Sequence, residues 1–201
     1  MKKFNEDDEP EFASFISKIA NGKFSEKFLE KRSIFLWGEV SDESAEYIIN
    51  RLLYLEMEKP GEPITMYISS PGGSVTSGMA ILDTMKLISS PIRTVCIGLC
   101  ASMASLLLSA GEKGSREIFE HGEVMIHQPL IGGYFQDKAS NLEIHAKNIL
   151  KTKRITAEIL AANCGKDVET VMADIENDHW LDAKQSLEYG IVDKISTKIT
   201  F

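Results

Sequence analysis

The alternation of short apolar runs with amphipathic stretches constrains the fold of this chain more than any other feature of its sequence. The first apolar run, 34–37, ends at Gly38, and a helix is predicted from the N-cap candidate Ser41. Three more such units follow, with strands predicted at 64–68, 94–99 and 124–127, each leading into a helix. Strands that alternate with helices form a largely parallel sheet with right-handed crossovers, so the sequence predicts an α/β fold.

The length of the chain fits one domain with an amino-terminal extension. Of its 201 residues, 43% are hydrophobic, which suffices for one sizeable core and not for two. We predict an acidic segment over residues 1–30 and a single domain over residues 31–201. The longest predicted helix, 138–163, cannot lie wholly against so small a domain. It should therefore project, as part of a region of about 128–163, and contact a partner subunit.

The end of the chain carries two more helix signals and a closing strand. A helix is predicted over 167–175, and a second one begins at a capping-box-like pattern from Asp182 to Gln185. The apolar run 191–195 is predicted to be the last strand.

Composition excludes several classes of function. A formal net charge of −8 argues against nucleic-acid binding, because neutralising phosphates requires clustered Lys and Arg. No apolar run reaches the roughly 18 residues of a membrane helix, and the acidic amino end lacks the apolar stretch of a secretory signal, so we expect a cytoplasmic protein. Cys96, Cys100 and Cys164 show no metal-ligand spacing, and we expect neither a metal nor an organic cofactor.

Two strand-to-helix junctions are candidates for chemistry. The Ser-Pro-Gly-Gly sequence at 70–73 can present free backbone N–H groups to an anion, although a tight turn that merely needs glycine explains it as well. Ser102 follows a buried strand and opens an apolar helix, as the serine of a nucleophile elbow does, with the Met103 N–H aimed at a developing oxyanion. An ordinary N-cap serine would occupy the same position.

The chain has four histidines, and their positions rank them as candidate bases. His145 lies in the middle of a helix, and His121 lies in a loop next to a glycine. His179 adjoins Asp178, but neighbours in an extended segment point to opposite sides. His127 ends an apolar strand, where sites form in open parallel sheets, so it is the preferred general base. A buried structural histidine is the alternative.

Four motifs in this order resemble the ClpP family, the proteolytic subunit of the ATP-dependent Clp protease. They are Ser-Pro-Gly-Gly at 70–73, the segment 98–104 around Ser102, Met-Ile-His-Gln-Pro at 125–129, and Asp178 with the residues that follow it up to Gly190. The resemblance extends from about residue 31 to 195. It implies a ClpP/crotonase-like spiral of repeated strand-helix units with a projecting handle helix.

The resemblance also implies a serine endopeptidase site. Ser102 would be the nucleophile, His127 the general base and Asp178 the acid that orients it. The oxyanion hole would consist of the N–H groups of Gly73 and Met103. The substrate backbone would bind by strand addition beside the segment after His127, and the implied substrate-binding residues are Gly72, Gln128, Ile131, Gly132 and Gly133.

The partners that the resemblance implies are further copies of the chain, an ATPase and unfolded protein. Family members form heptameric rings, stacked in pairs into a tetradecamer, and degrade polypeptides that an AAA+ unfoldase of the Clp type feeds into the chamber. ATP would act only through that unfoldase. The acidic amino end, Thr65 in place of a docking aromatic and Asn177 in place of an arginine depart from the family pattern, which affects docking and ring stacking.

Two other functions remain as alternatives. One is a catalytically quiet ring subunit that assembles with an active paralogue, because triad residues can be present and misaligned. The other is an acyl-CoA enzyme of the crotonase type, which shares the strand-helix spiral and a backbone oxyanion hole but uses carboxylates instead of a serine. The presence of Ser102, His127 and Asp178 argues against the second alternative.

Overall fold

The computed structural model describes residues 22–130 and 138–199, with the side chains of residues 139 and 140 excepted. The segment before residue 22 and the predicted substrate residues Ile131, Gly132 and Gly133 lie outside the described residues. The elements in chain order are α1 (22–30), β1 (Ser33–Trp37), α2 (Asp42–Glu58), β2 (Ile64–Ser70), α3 (Val75–Leu87), β3 (Ile92–Ala101), α4 (Met103–Ser109), β4 (Arg116–Phe119), β5 (Glu123–Ile126), α5 (Ala139–Cys164), α6 (Val168–Asp174), β6 (His179–Leu181), α7 (Ala183–Tyr189) and β7 (Lys194–Ser196).

These elements build one largely parallel sheet. Its main order is β1-β2-β3-β4-β7, while β5 pairs with β3 and carries β6 on its other side. Every pairing is parallel except that of β5 with β6. The predicted α/β fold of repeated strand-helix units is therefore confirmed, whereas the division into residues 1–30 and 31–201 stays a prediction.

Side-chain caps set the helix starts that the sequence predicts. The Ser41 hydroxyl accepts a hydrogen bond from Ser44 N, and the Ser44 hydroxyl accepts one from Ser41 N, which completes a capping box at the start of α2. Asp182 and Gln185 form the same reciprocal pair at the start of α7, as predicted. Helix α5 ends at Gly165, whose φ of 69° is the left-handed conformation of a helix C-terminus.

Two strands and one boundary depart from the sequence-based expectation. The short strand β4 is not predicted, because its residues Arg116 and Glu117 are charged and yet buried. The strand β6 is not predicted either, because it has only three residues and the first of them, His179, is only partly buried. The predicted closing strand 191–195 is wrong in its bounds: Ile191 and Val192 are buried outside the sheet, and β7 begins at Lys194.

Strand β3 changes its partner halfway along. Its first half, Thr94–Cys96, pairs with β4, and its second half, Leu99–Ala101, pairs with β5. The register with β2 shifts between these halves, since Ile68 faces Cys96 and Ser70 faces Cys100. Gly98 lies in the shifted stretch with a φ of 72°, which a β-bulge with a glycine accommodates. This bend carries the end of β3 toward the end of β5.

Helix α5 packs on the domain with its second half only. The buried side chains described on it are Ala157, Leu160, Ala161 and Cys164. Its first half carries exposed apolar side chains, namely Leu142, Ile144 and Leu150. The helix therefore projects, as the sequence predicts. Among the described residues, no helix is long and apolar enough to cross a bilayer.

Arg116 ties the end of the sheet to the helices. Its guanidinium is fully buried and donates to both carboxylate oxygens of Asp193, at 2.8 and 2.6 Å. It also donates to the carbonyl oxygens of Ser109 and Asn163, at the ends of α4 and α5. Burial alone would raise the pKa of Asp193, but the hydrogen bonds from Arg116 outweigh it and hold that pKa at about 2.

Candidate active site

Ser102 occupies a strained turn between β3 and α4. Its backbone has a φ of 55° and a ψ of −124°, a conformation that costs a non-glycine residue about 1–3 kcal/mol. Its side chain makes no capping hydrogen bond to α4, so the N-cap explanation of this serine is wrong. Instead, the Ser102 N–H donates to Met125 O at 2.8 Å, which fixes the turn against β5. The hydroxyl is left to face the neighbouring strand end.

A continuous hydrogen-bonded path joins Ser102, His127 and Asp178. His127 Nε2 lies 2.8 Å from Ser102 Oγ, and His127 Nδ1 lies 3.2 Å from Asp178 Oδ1. An ionised carboxylate only accepts hydrogen bonds, so it favours the tautomer in which Nδ1 donates to Asp178 and Nε2 accepts from Ser102. The path thus leaves Nε2 able to take the hydroxyl proton.

The pairing of β5 with β6 places the base next to the acid. Ile126 faces His179 across this antiparallel pair, so His127 directly follows β5 and Asp178 directly precedes β6. The imidazole is 11% exposed, whereas the Asp178 side chain is 61% exposed. The histidine is therefore enclosed by the fold, and the carboxylate lies at the surface of the isolated chain.

The other histidines lie elsewhere, as the sequence indicates. His145 is in the exposed half of α5, and His121 is in the turn between β4 and β5. The His179 ring packs edge-on against Tyr189, with 5.9 Å between ring centres. Of the four histidines, His127 is the one that contacts Ser102.

The glycine pair after β2 lies directly against the Ser102 turn. A Cβ atom on Gly72 would lie 2.6 Å from Ser102 Cβ and 3.0 Å from Met103 N, so only glycine allows this approach. Gly73 forms a bridge with Val40, in which Val40 N donates to Gly72 O and Ser74 N donates to Val40 O. This pattern turns the Gly73 N–H away from Val40. Met103 begins α4, and the N–H of a first helical residue has no acceptor within the helix.

A hydroxyl chain anchors the far side of the same loop. The Ser77 hydroxyl lies 2.5 Å from Asp42 Oδ1 and 2.8 Å from Ser74 Oγ. A carboxylate cannot donate a hydrogen bond, so the Ser77 hydroxyl donates to Asp42 and the Ser74 hydroxyl donates to Ser77. The start of α3 is thereby held against the start of α2, which fixes the loop that carries Gly72 and Gly73.

A cavity beside Ser102 and His127 has largely apolar walls. Its apolar lining includes Met103, Leu106, Ile126, Leu160 and Ile175. The polar side chains in the wall are already engaged: the Ser105 hydroxyl donates to Ser102 O, and the Thr156 hydroxyl donates to carbonyl oxygens of its own helix. An apolar group is therefore the ligand that this cavity accommodates best.

Gln128 and Gly72 both use backbone hydrogen-bonding groups within the chain. The Gln128 N–H donates to Ile175 O, and its side-chain amide donates to Glu176 O, so the backbone donor and one side-chain donor are used within the chain. The Gly72 N–H is held by Ser70 Oγ and its carbonyl by Val40 N. Sequence patterns gave no sign of the Gln128 contacts, because the turn 175–178 lies far along the chain.

Within the described part of the chain, neither a cluster of metal ligands nor an exposed thiol accompanies this site. Within residues 22–130 and 138–199, no group of three or more His, Cys, Asp or Glu side chains could hold a metal ion. The described cysteines are buried and unpaired. Burial raises the pKa of Cys100 well above its ordinary value and that of Cys164 to about 11, so both thiols stay protonated and weakly nucleophilic.

A serine, a histidine and an aspartate joined by hydrogen bonds at the edge of a largely parallel α/β sheet are an arrangement that serine hydrolases use. Residues 18–199 of the 201-residue chain match the family model of the Clp protease. The chain belongs to the Clp protease family. The resemblance drawn from the four sequence motifs is thereby confirmed.

Proposed function

We propose that this chain is a serine endopeptidase subunit of an ATP-dependent Clp-type protease. Ser102 is the nucleophile, His127 the general base and Asp178 the acid that orients the base. The observation that supports this most is the unbroken path from Asp178 through His127 to Ser102, with 3.2 and 2.8 Å between the bonded atoms. A serine with no such base would be a weak nucleophile at neutral pH.

The geometry supports an acyl-enzyme mechanism. Ser102 Oγ attacks the carbonyl carbon of the scissile peptide bond while its proton passes to His127 Nε2. Asp178 stabilises the imidazolium that forms, and the N–H groups of Gly73 and Met103 stabilise the oxyanion of the tetrahedral intermediate. The C–N bond then breaks as His127 returns the proton to the leaving amine. Water, activated by His127, hydrolyses the resulting ester and frees Ser102.

The proposed substrates are unfolded polypeptides. Their backbone lies beside the segment that follows His127, which includes Gln128, Ile131, Gly132 and Gly133. The side chain before the scissile bond enters the apolar cavity beside Ser102. Because the backbone groups of Gly72 are engaged within the chain, its part in substrate binding is to leave room next to the serine.

Self-association and an unfoldase complete the proposal. The exposed apolar side chains on the projecting half of α5, Leu142, Ile144 and Leu150, favour contact with other copies. We propose heptameric rings stacked in pairs, in the cytoplasm, which receive substrates from an AAA+ unfoldase of the Clp type for protein quality control. No metal or organic cofactor takes part in the chemistry of this subunit.

A quiet ring subunit is the second candidate. The 61% exposure of the Asp178 side chain favours it, because an exposed carboxylate is screened by water and orients the imidazole weakly. Membership of the Clp protease family argues against the crotonase-type alternative.

Labelling by a fluorophosphonate and hydrolysis of a peptide distinguish the active peptidase from the quiet ring subunit. Intact mass is measured after exposure of the native chain, Ser102→Ala and Ser89→Ala to the reagent. Ser89 is a control because its exposed hydroxyl binds Glu56, away from the site. The proposal predicts one adduct on the native chain and on Ser89→Ala, and none on Ser102→Ala.

Hydrolysis of a fluorogenic peptide by the purified chain, with and without an unfoldase, completes the test. Turnover that Ser102→Ala abolishes supports the active peptidase. A folded native chain with neither adduct nor turnover overturns that function and supports the quiet subunit.

A further inference from the structure

Asp178 has little to hold it except the backbone that carries it. Among the described residues, His127 is the one side chain that hydrogen-bonds Asp178, at 3.2 Å. The Asp178 side chain is 61% exposed, so packing does not fix its rotamer. Its distance from His127 therefore depends on where the turn 175–178 lies.

Gln128 holds one side of this turn. Its backbone N–H donates to Ile175 O at 2.7 Å, and its side-chain amide donates to Glu176 O at 2.8 Å. Gln128 directly follows His127 in the chain. The segments that carry the imidazole and the carboxylate are thus joined on both sides of their contact, by Gln128 and by the pairing of Ile126 with His179.

Lys153 of α5 is a second residue that holds the turn 175–178. Its ammonium lies 2.6 Å from Glu176 Oε2, and the same Glu176 supplies the carbonyl that Gln128 binds. The Lys153 side chain is only 14% exposed, so it is a fixed support rather than a freely moving surface charge. The hydrogen bond from Lys153 lowers the pKa of Glu176, because it favours the ionised carboxylate.

We infer that Lys153 and Glu176 are positioning residues, which hold the turn 175–178 so that Asp178 reaches His127. The inference rests on the proposed function and deepens it. It makes the orientation of the base depend on helix α5, because Lys153 belongs to that helix. A shift of α5 relative to the domain would pull Glu176 and lengthen the contact between Asp178 and His127.

Kinetics of three single variants test the inference, on the full chain in its native assembly. Lys153→Met and Glu176→Gln remove the ion pair with little change in volume. Arg154→Met is the matched control: Arg154 is the next residue of α5 and pairs with Glu158 and Glu169, neither of which belongs to the turn 175–178. We expect kcat for a short peptide to fall about tenfold in the first two variants, because a small misplacement of catalytic groups has large effects on rate. KM and the control should change less than about twofold.

Rescue separates a positioning role from a loss of folding. The double variant Lys153→Glu/Glu176→Lys, which restores the pair with reversed charges, should recover most of the lost kcat. The conservative variant Lys153→Arg, which keeps the positive charge, should retain most of the native kcat. Circular dichroism and size-exclusion chromatography establish that each variant folds and assembles like the native chain.

Three results would overturn the inference. One is Lys153→Met with native kcat, the second is equal losses in Lys153→Met and Arg154→Met, and the third is a loss that follows assembly size alone. The proposed function fails separately, since it fails only if the native chain itself shows no fluorophosphonate adduct and no turnover. If the native chain and Lys153→Met are both fully active, the inference is wrong and the proposed function is unaffected.

Discussion

Replacement of Gly72 by alanine should inactivate the site by displacing the Ser102 turn. The new Cβ atom would lie 2.6 Å from Ser102 Cβ and 2.7 Å from Ala101 O, whereas ordinary contacts begin at 3.4 Å. These neighbours are a backbone carbonyl and a Cβ, which have no rotamer with which to move aside. The turn must therefore shift by roughly 1 Å, a displacement that can cost about 10²-fold in rate.

The stability cost of Gly72→Ala has two parts. Its φ of 89° lies in the left-handed region, where a Cβ atom costs about 1–2 kcal/mol. The overlap adds about 1–3 kcal/mol, as overpacking does in other cores. Gly61→Ala separates these parts, because Gly61 has a similar φ of 80° and nothing within 4 Å of its added Cβ.

The assays are thermal unfolding and the rate of fluorophosphonate labelling. Gly61→Ala should lower Tm by about 2–8 °C, given about 2–4 °C per kcal/mol for a domain of this size, and should label at the native rate. Gly72→Ala should unfold at a lower temperature still and label at least about 10²-fold more slowly. If Gly72→Ala labels as fast as Gly61→Ala, the close approach of Gly72 to Ser102 has no part in the reaction.

Two further predictions concern carboxylates. Asp178→Asn should lower kcat/KM for a peptide by about 10²- to 10⁴-fold, because an amide no longer holds the tautomer of His127 that accepts the serine proton; a loss below tenfold would show that the base does not need this acid. Asp193→Asn should lower the free energy of unfolding at pH 7 by about 3–5 kcal/mol, since it leaves the buried Arg116 without its counter-charge. Because the pKa of Asp193 is lowered from 3.8 to about 2, its ionisation contributes about 2 kcal/mol above pH 4, which is lost as the pH falls toward 2. Urea unfolding of the native chain and Asp193→Asn at pH 7 and pH 3 measures this, and a difference that is equal at both pH values would contradict it.

Local sequence signals account for most of the fold. Ser41 is predictable as an N-cap, and Asp182 is an N-cap with a recognisable partner, Gln185, three residues later; the structure makes a capping box at both. The projection of α5 also follows from its length. The strand β4 could not be predicted, because Arg116 and Glu117 are buried only by virtue of partners distant in the sequence, Asp193 and Lys194 among them.

The candidate site is predictable in part from position and in part from resemblance. Ser102 follows one predicted strand and His127 ends another, so the carboxyl edge of a parallel sheet brings them together. Asp178 precedes a strand of three residues that no periodicity indicates, and the resemblance to a family supplied it. The pair of Lys153 with Glu176 joins a helix to a turn, and nothing local in the sequence marks such a contact.

The place of Asp178 in the chain has a consequence for protein synthesis. Asp178 stands 51 residues after His127, which itself stands 25 residues after Ser102. A polypeptide that leaves the ribosome from its amino end therefore completes the serine and the imidazole first. The pairing of β5 with β6 waits until α5 and α6 have been made. On the proposed mechanism, the serine of an unfinished chain lacks an oriented base, so cleavage of itself or its neighbours during translation is slowed as it is expected to be in Asp178→Asn.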